Sequence, residues 1–225
     1  IQGAKLIGGH TIESRKISEE PFSLGIESSL TVNGIIDDKK YFWSKGGMKK
    51  GDHILISRPL GNGVIFSAFM NGQVKPYIFD SVLKEMDKSQ HHIIKYINQL
   101  ISANSDSKIV NSCTDITGFG LLGHLSEMLQ YTNNEQLKMN LEPLKIILEL
   151  DDIPVYDGVK ELLNKGFESS LAPENKRFLK NIDGDENLRI ELHSHNFASN
   201  NSSYNTMLKI LVDPQTCGPL LISCS

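Results

Sequence analysis

Residues 114–125 read T-D-I-T-G-F-G-L-L-G-H-L and follow directly on K-I-V-N-S-C at 108–113. The run at 108–113, with β-branched Ile109 and Val110, reads as a strand. After the glycines, Leu121, Leu122, Leu125, Met128 and Leu129 recur at helical spacing, so the chain turns from strand to helix across the glycines. What the turn is for depends on Asp115. Gly118, Gly120 and Gly123 give G-x-G-x-x-G, the spacing of a dinucleotide-binding turn, and Glu142 could serve as its distal acid. That reading fails on the four residues T-D-I-T between strand and first glycine, because a carboxylate there would repel a pyrophosphate. Two readings remain open on residue chemistry alone. Asp115 could hold Mg²⁺ against phosphate beside the positive end of the following helix, with Thr117 as its N-cap and bare glycines leaving room for a ligand. Equally, Asp115 and Thr117 could only cap a helix.

Outward from this junction the pattern mixes strands and helices. Strands are expected at 22–33, at H-I-L-I-S (53–57), at 108–113, at L-K-M-N-L (137–141), at T-M-L-K-I-L-V-D (206–213) and at P-L-L-I-S-C-S (219–225). Helices are expected at V-I-F-S-A-F-M (64–70), across Phe79 to Ile101, after the glycines, and at 155–166 with Gly166 as C-cap. The polar stretch 194–205 reads as a surface loop. Without strict strand–helix alternation, the expected class is α+β: a mixed sheet carrying packed helices.

Composition narrows the function classes. The chain has 225 residues, 39% hydrophobic and 22% charged, with a formal charge of -4, so it has the means to bury a core and no basic excess for a nucleic-acid partner. No apolar run is long enough to span a membrane. Three cysteines, Cys113, Cys217 and Cys224, form no C-x-x-C, which fits free thiols in a reducing, cytoplasmic setting. The chain opens without methionine and stops inside an apolar run, so it is expected to be a piece of a longer protein.

Two further runs stand out, G-G-H-T-I at 8–12 and D-P-Q-T-C-G-P-L-L at 213–221. Singly each has a plain explanation. Together with R-P-L-G at 58–61 and the twelve residues at 114–125, in this order, they resemble selenophosphate synthetase (selenide, water dikinase). Its C-terminal half carries G-G-H-[ST]-I, K-P-L-G, T-D-[VI]-T-G-F-G-L-L-G-H-L and D-P-Q-T-S-G-G-L-L. The resemblance implies an ATP-dependent phosphotransferase that makes selenophosphate, AMP and orthophosphate from selenide, ATP and water. It implies a homodimer with ATP and Mg²⁺ held between N-terminal domains, and a C-terminal domain of the aminoimidazole ribonucleotide synthetase type, partly ferredoxin-like. It makes Asp115 a metal ligand and Gly8, Gly9, His10 and Thr11 nucleotide contacts. Residues 1–15 would then be the tail of the N-terminal domain and 16–225 a C-terminal domain cut short at its end. The family's reactive cysteine or selenocysteine, its lysine and its other aspartates lie upstream, so no catalytic residue is expected in this chain, and alone it should bind ATP and Mg²⁺ poorly and turn nothing over. Cys217 for serine and Pro219 for glycine depart from the pattern. Cys217 is expected to be a buried structural thiol rather than a nucleophile. These departures keep a second class open, a regulatory or interaction module that retains the fold.

Overall fold

The computed structural model describes residue 5 and residues 29–36, 38, 41–103, 108–182, 188–195 and 201–225. The chain divides into residues 1–42 and residues 43–225, and every element named below belongs to the second unit. Gly8, Gly9, His10 and Thr11 lie outside the described residues. So does most of the strand expected at 22–33, and its described end, 29–33, has no regular structure.

Among the described residues, five strands and seven α-helices run in the order β1 (His53–Ile56), α1 (Asn62–Met70), α2 (Pro76–Asp87), α3 (His91–Ala103), β2 (Val110–Asp115), α4 (Gly120–Lys138), β3 (Ile146–Glu149), α5 (Val159–Asn164), α6 (Ala172–Asn175), β4 (Ile190–His193), α7 (Asn201–Leu211) and β5 (Leu220–Cys224). The class is α+β, as expected. Parallel and antiparallel pairs both occur, but in separate sheets. One sheet has the order β1-β5-β2, antiparallel throughout, and the other is the parallel pair β3-β4. β5 is the central strand, with Ile222 opposite both Leu55 and Cys113. The last strand in sequence therefore organises the sheet that carries Asp115.

In the core, Leu122, Leu125, Met128 and Leu129 of α4 meet Val64, Ile65 and Ala68 of α1, Ile210 and Leu211 of α7, and Leu221 of β5. Apolar residues at i, i+3, i+6 and i+7 put one face of α4 into this cluster, and each large side chain buried there contributes about 1.5–3 kcal/mol. Among the described residues, no helix is long and apolar enough to cross a membrane.

Four expected elements differ, the first being the loop expected at 194–205, whose residues from Asn201 on start helix α7. Residues 206–213 are not a strand. They end α7, where Met207, Ile210 and Leu211 are buried at i, i+3 and i+4; a short apolar run satisfies either period, and packing chose the helix. Residues 137–141 close α4 instead of forming a strand. Asn140 takes a left-handed φ of 57° and the Leu141 amide donates to the Gln136 carbonyl at 2.9 Å, a C-terminal cap with asparagine in the place glycine usually takes. The helix expected across Phe79–Ile101 is two helices, because Lys88 is extended and the Ser89 hydroxyl accepts from the His91 amide to start α3. The parallel pair β3-β4 has no counterpart among the expected strands, since four-residue strands leave too little pattern to read.

Candidate functional site

Three of the unusual runs of sequence meet in space. Residues 114–120 leave β2, residues 213–219 lead into β5, and residues 58–63 lead into α1. The Ile116 amide donates to the Pro219 carbonyl at 2.9 Å, extending the β2–β5 ladder by one residue, and the Gln215 amide donates to the Thr117 carbonyl at 2.9 Å. Both loops are so close that side chains are excluded. A Cβ on Gly218 would stand 1.9 Å from the Ile116 carbonyl oxygen, and one on Gly120 (φ 69°) would stand 2.8 Å from the Val212 carbonyl carbon. Gly120 is thus fixed by a close backbone approach and a left-handed φ, not by a nucleotide.

The D-P-Q-T loop caps helix α1. Gln215 Oε1 accepts from the amides of Gly61 at 3.1 Å and Asn62 at 3.4 Å, and Asp213 Oδ2 accepts from Val64 at 3.3 Å. Asn62 and Thr216 exchange two bonds: Asn62 Nδ2 donates to the Thr216 carbonyl at 2.7 Å, and the Thr216 amide donates to Asn62 Oδ1 at 3.0 Å. Orphan amides at the start of a buried helix need such acceptors. Gln215 Nε2 donates in turn to Asp213 Oδ2 at 2.9 Å. Asp213 is 1% exposed and its Oδ1 has no hydrogen-bond partner. Burial pushes its carboxyl up to about 7, against the opposing pull of the Val64 amide, Gln215 and the Gly63 amide, with the Glu168 charge adding to the rise. Arg58, 6% exposed, donates from Nη1 to the Cys217 carbonyl at 2.8 Å and from Nη2 to the Lys88 carbonyl. It ties the D-P-Q-T loop to the break between α2 and α3.

Asp115 ends β2 on the exposed side of this frame. No hydrogen bond or ion pair engages its carboxylate among the described residues. Its charge is felt by Cys113, whose thiol is pushed up to about 11 by burial first and by Asp115 second. No group of three or more metal-binding side chains occurs among the described residues. A cleft of about 790 Å³, lined by residues of β1 and β3, does not reach Asp115, which stands at an open edge. An unpaired, exposed carboxylate at a strand end suits one ligand of a shared cation site and is insufficient as a whole site.

Thr117 does not cap α4. The residue at that position is Phe119, and no side chain caps the helix. The Thr117 hydroxyl instead meets His124 Nε2 at 3.1 Å, while His124 Nδ1 meets Glu127 Oε2 at 3.2 Å and Lys45 Nζ donates to the same oxygen at 2.9 Å. His124 and Glu127 escape the sequence reading, although H-x-x-E on a helix places two such side chains on one face. Cys217 is exposed, not buried, with a left-handed φ of 47°. The Pro219 carbonyl accepts from the Ile116 amide.

Residues 49–172 match the family model "AIR synthase related protein, C-terminal domain". The chain belongs to this family. Curated relatives include the selenide, water dikinases of Caldanaerobacter subterraneus subsp. tengcongensis, 33% identical over 99% of this chain and 52% of the relative, and of Clostridioides difficile, 30% identical over 98% and 51%. The chain therefore spans about half the length of the curated relatives it matches. A solved structure of AaThiL complexed with AMPPCP and TMP aligns at 14% identity and a TM-score of 0.41, covering 81% of this chain and 42% of that one.

Proposed function

We propose that this chain is the C-terminal part of a selenophosphate synthetase, the enzyme that makes selenophosphate, AMP and orthophosphate from selenide, ATP and water. The observation that carries the reading is the free carboxylate of Asp115, held out at the end of β2 by two loops whose residues match that family's motifs. In this reading Asp115 contributes one carboxylate to Mg²⁺ at the ATP phosphates. Phosphoryl transfer depends chiefly on positioning and charge neutralisation, and the cation supplies the latter. The chain's own part is to present that oxygen pair rigidly. Gly8, Gly9, His10 and Thr11 contact the nucleotide, residues 1–15 belong to the N-terminal domain, and the protein acts as a cytoplasmic homodimer. Relatives of this name aligned along 98–99% of the chain support the assignment.

The test is Asp115→Asn in the protein at the full length of its relatives. Selenide-dependent AMP formation and Mg²⁺-dependent nucleotide binding should both fall at least tenfold while the melting temperature stays put. Unchanged binding and turnover would remove the reading and favour a regulatory module built on the same fold.

A further inference from the structure

Asp115 has an unpaired counterpart of opposite charge at the same junction. Residues 175–181 are pinned at both ends to α4 and the loop before it. Asn175, 3% exposed, donates from Nδ2 to the Gly118 carbonyl at 2.7 Å and to the Val212 carbonyl at 3.0 Å. Asn181, also buried, donates from Nδ2 to the Ser126 hydroxyl at 2.8 Å. Between these anchors Arg177 and Phe178 lie in a 3₁₀ helix, Lys176–Asn181. The Phe178 ring uses the space that Gly123 leaves, where a Cβ would stand 2.9 Å from Cε2. Its centroid is 5.9 Å from that of Phe119, a ring 42% exposed. Arg177 Cζ is 4.9 Å from the Phe178 centroid and 5.8 Å from that of Phe119, both inside the reach of about 6 Å over which a cation is attracted to a ring.

The guanidinium has no counter-ion to go with this restraint. Neighbouring Lys176 and Lys209 share Glu168 at 2.9 and 2.7 Å, but no ion pair or hydrogen bond engages exposed Arg177 among the described residues. Ring contact limits where the group can go and leaves its five N–H donors unspent. A restrained guanidinium with free donors suits an oxyanion, which it can bind through two parallel hydrogen bonds at low ordering cost. The loop is open at this point, since a Cβ on Gly118 would meet nothing within 4 Å. Asp115 and Phe119 belong to one loop, and four residues of chain put their Cα atoms at most about 14 Å apart. A polyphosphate held through a cation at one end of that loop meets an unspent guanidinium at the other.

We propose that Arg177 binds a phosphoryl oxyanion beside the Asp115 cation, either the terminal phosphoryl of the nucleotide or free orthophosphate. The inference rests on the proposed role of Asp115 and adds the positive group that shares the phosphate charge. An arginine that only covered Phe119 and Phe178 would act through its stem, and its charge would be dispensable.

The experiment uses the full-length protein at fixed Mg²⁺ and titrates a non-hydrolysable ATP analogue, orthophosphate and AMP, with thermal melting alongside. Arg177→Met keeps an apolar stem over the rings and removes the guanidinium. Affinity for the analogue or for orthophosphate should fall about tenfold, equivalent to about 1.4 kcal/mol, and the one that falls identifies the source of the phosphoryl group. AMP affinity should stay within twofold and the melting temperature should hold. Arg177→Lys keeps the charge without the fork and should recover only part of the loss. Analogue and orthophosphate both within twofold of wild type in Arg177→Met, with Asp115→Asn still weakening the analogue, would overturn this inference and leave the function standing. So would an equal weakening of analogue and AMP together with a lower melting temperature, the mark of a purely structural role. If neither Asp115→Asn nor Arg177→Met moved any of these affinities, the reading of Asp115 would fall and take this one with it.

Discussion

Asp213 gives the sharpest quantitative test of how the two loops are held. Its carboxyl is buried, has one oxygen without a partner, and is pushed from 3.8 to about 7. A carboxyl whose folded pKa lies above its unfolded one binds protons more tightly in the native state. Its contribution is thus complete below about pH 4 and is lost as pH rises toward 7. Each pH unit crossed between those limits costs about 1.4 kcal/mol, so the protein should lose about 4 kcal/mol between pH 4 and pH 8 through this group alone. Glu168 and Glu191, whose carboxyls are held below the usual range by lysine partners, lie outside this window, and the histidines that titrate within it are common to wild type and variant, so the comparison between the two isolates Asp213. Asp213→Asn keeps one oxygen for the Val64 amide and Gln215 and cannot ionise. Urea unfolding at half-unit intervals from pH 5 to 8 should show wild type falling by about 3 kcal/mol relative to the variant, with most of the divergence complete by pH 7. Parallel curves across that range would mean that Asp213 ionises in the native state without penalty, and the reasoning from its burial would be refuted.

Two other substitutions probe the same frame, and a third probes the far end of α4. Gln215→Ala strips acceptors from the amides of Gly61 and Asn62 and a donor from Asp213; at about 1–3 kcal/mol per buried group left unsatisfied, differential scanning calorimetry should show a loss of about 3 kcal/mol and a melting temperature lower by about 10 °C. Gly218→Ala forces a methyl to 1.9 Å from the Ile116 carbonyl oxygen, so the loops must part, and protease should cut near residues 213–219 at a concentration that leaves wild type intact. Asn133→Ala removes two bonds to the backbone of Leu144, at 2.9 and 2.7 Å from a side chain 1% exposed, and should cost about 2–3 kcal/mol by chemical denaturation.

Sequence reading is most secure where local signals agree. The strand at 108–113, the glycine turn and the helix beginning at Gly120 can be read directly, because β-branched residues, glycines and a helical apolar period each point the same way. Asp115 is legible as a candidate only, because residue chemistry leaves metal binding and helix capping equally open there and the family resemblance chooses between them. Reading fails where a run is short and apolar. Residues 206–213 satisfy either period, and burial of Met207, Ile210 and Leu211 in the shared core decides for helix. L-K-M-N-L carries a strand's composition, yet Asn140 in a left-handed conformation makes it a cap.

By itself the sequence determined the α+β class, the strand–turn–helix at Asp115 and the family motifs that surround it, since period, glycine placement and the order of the motifs are all written along the chain. Only the tertiary structure decided what those motifs do. D-P-Q-T reaches across more than 150 residues to cap α1, Arg58 joins two distant segments through their carbonyls, and Thr117 turns from capping its helix to meet His124. Amides and carboxyls left unpaired by a turn must find partners wherever the folded chain brings them, and no local pattern records which ones arrive.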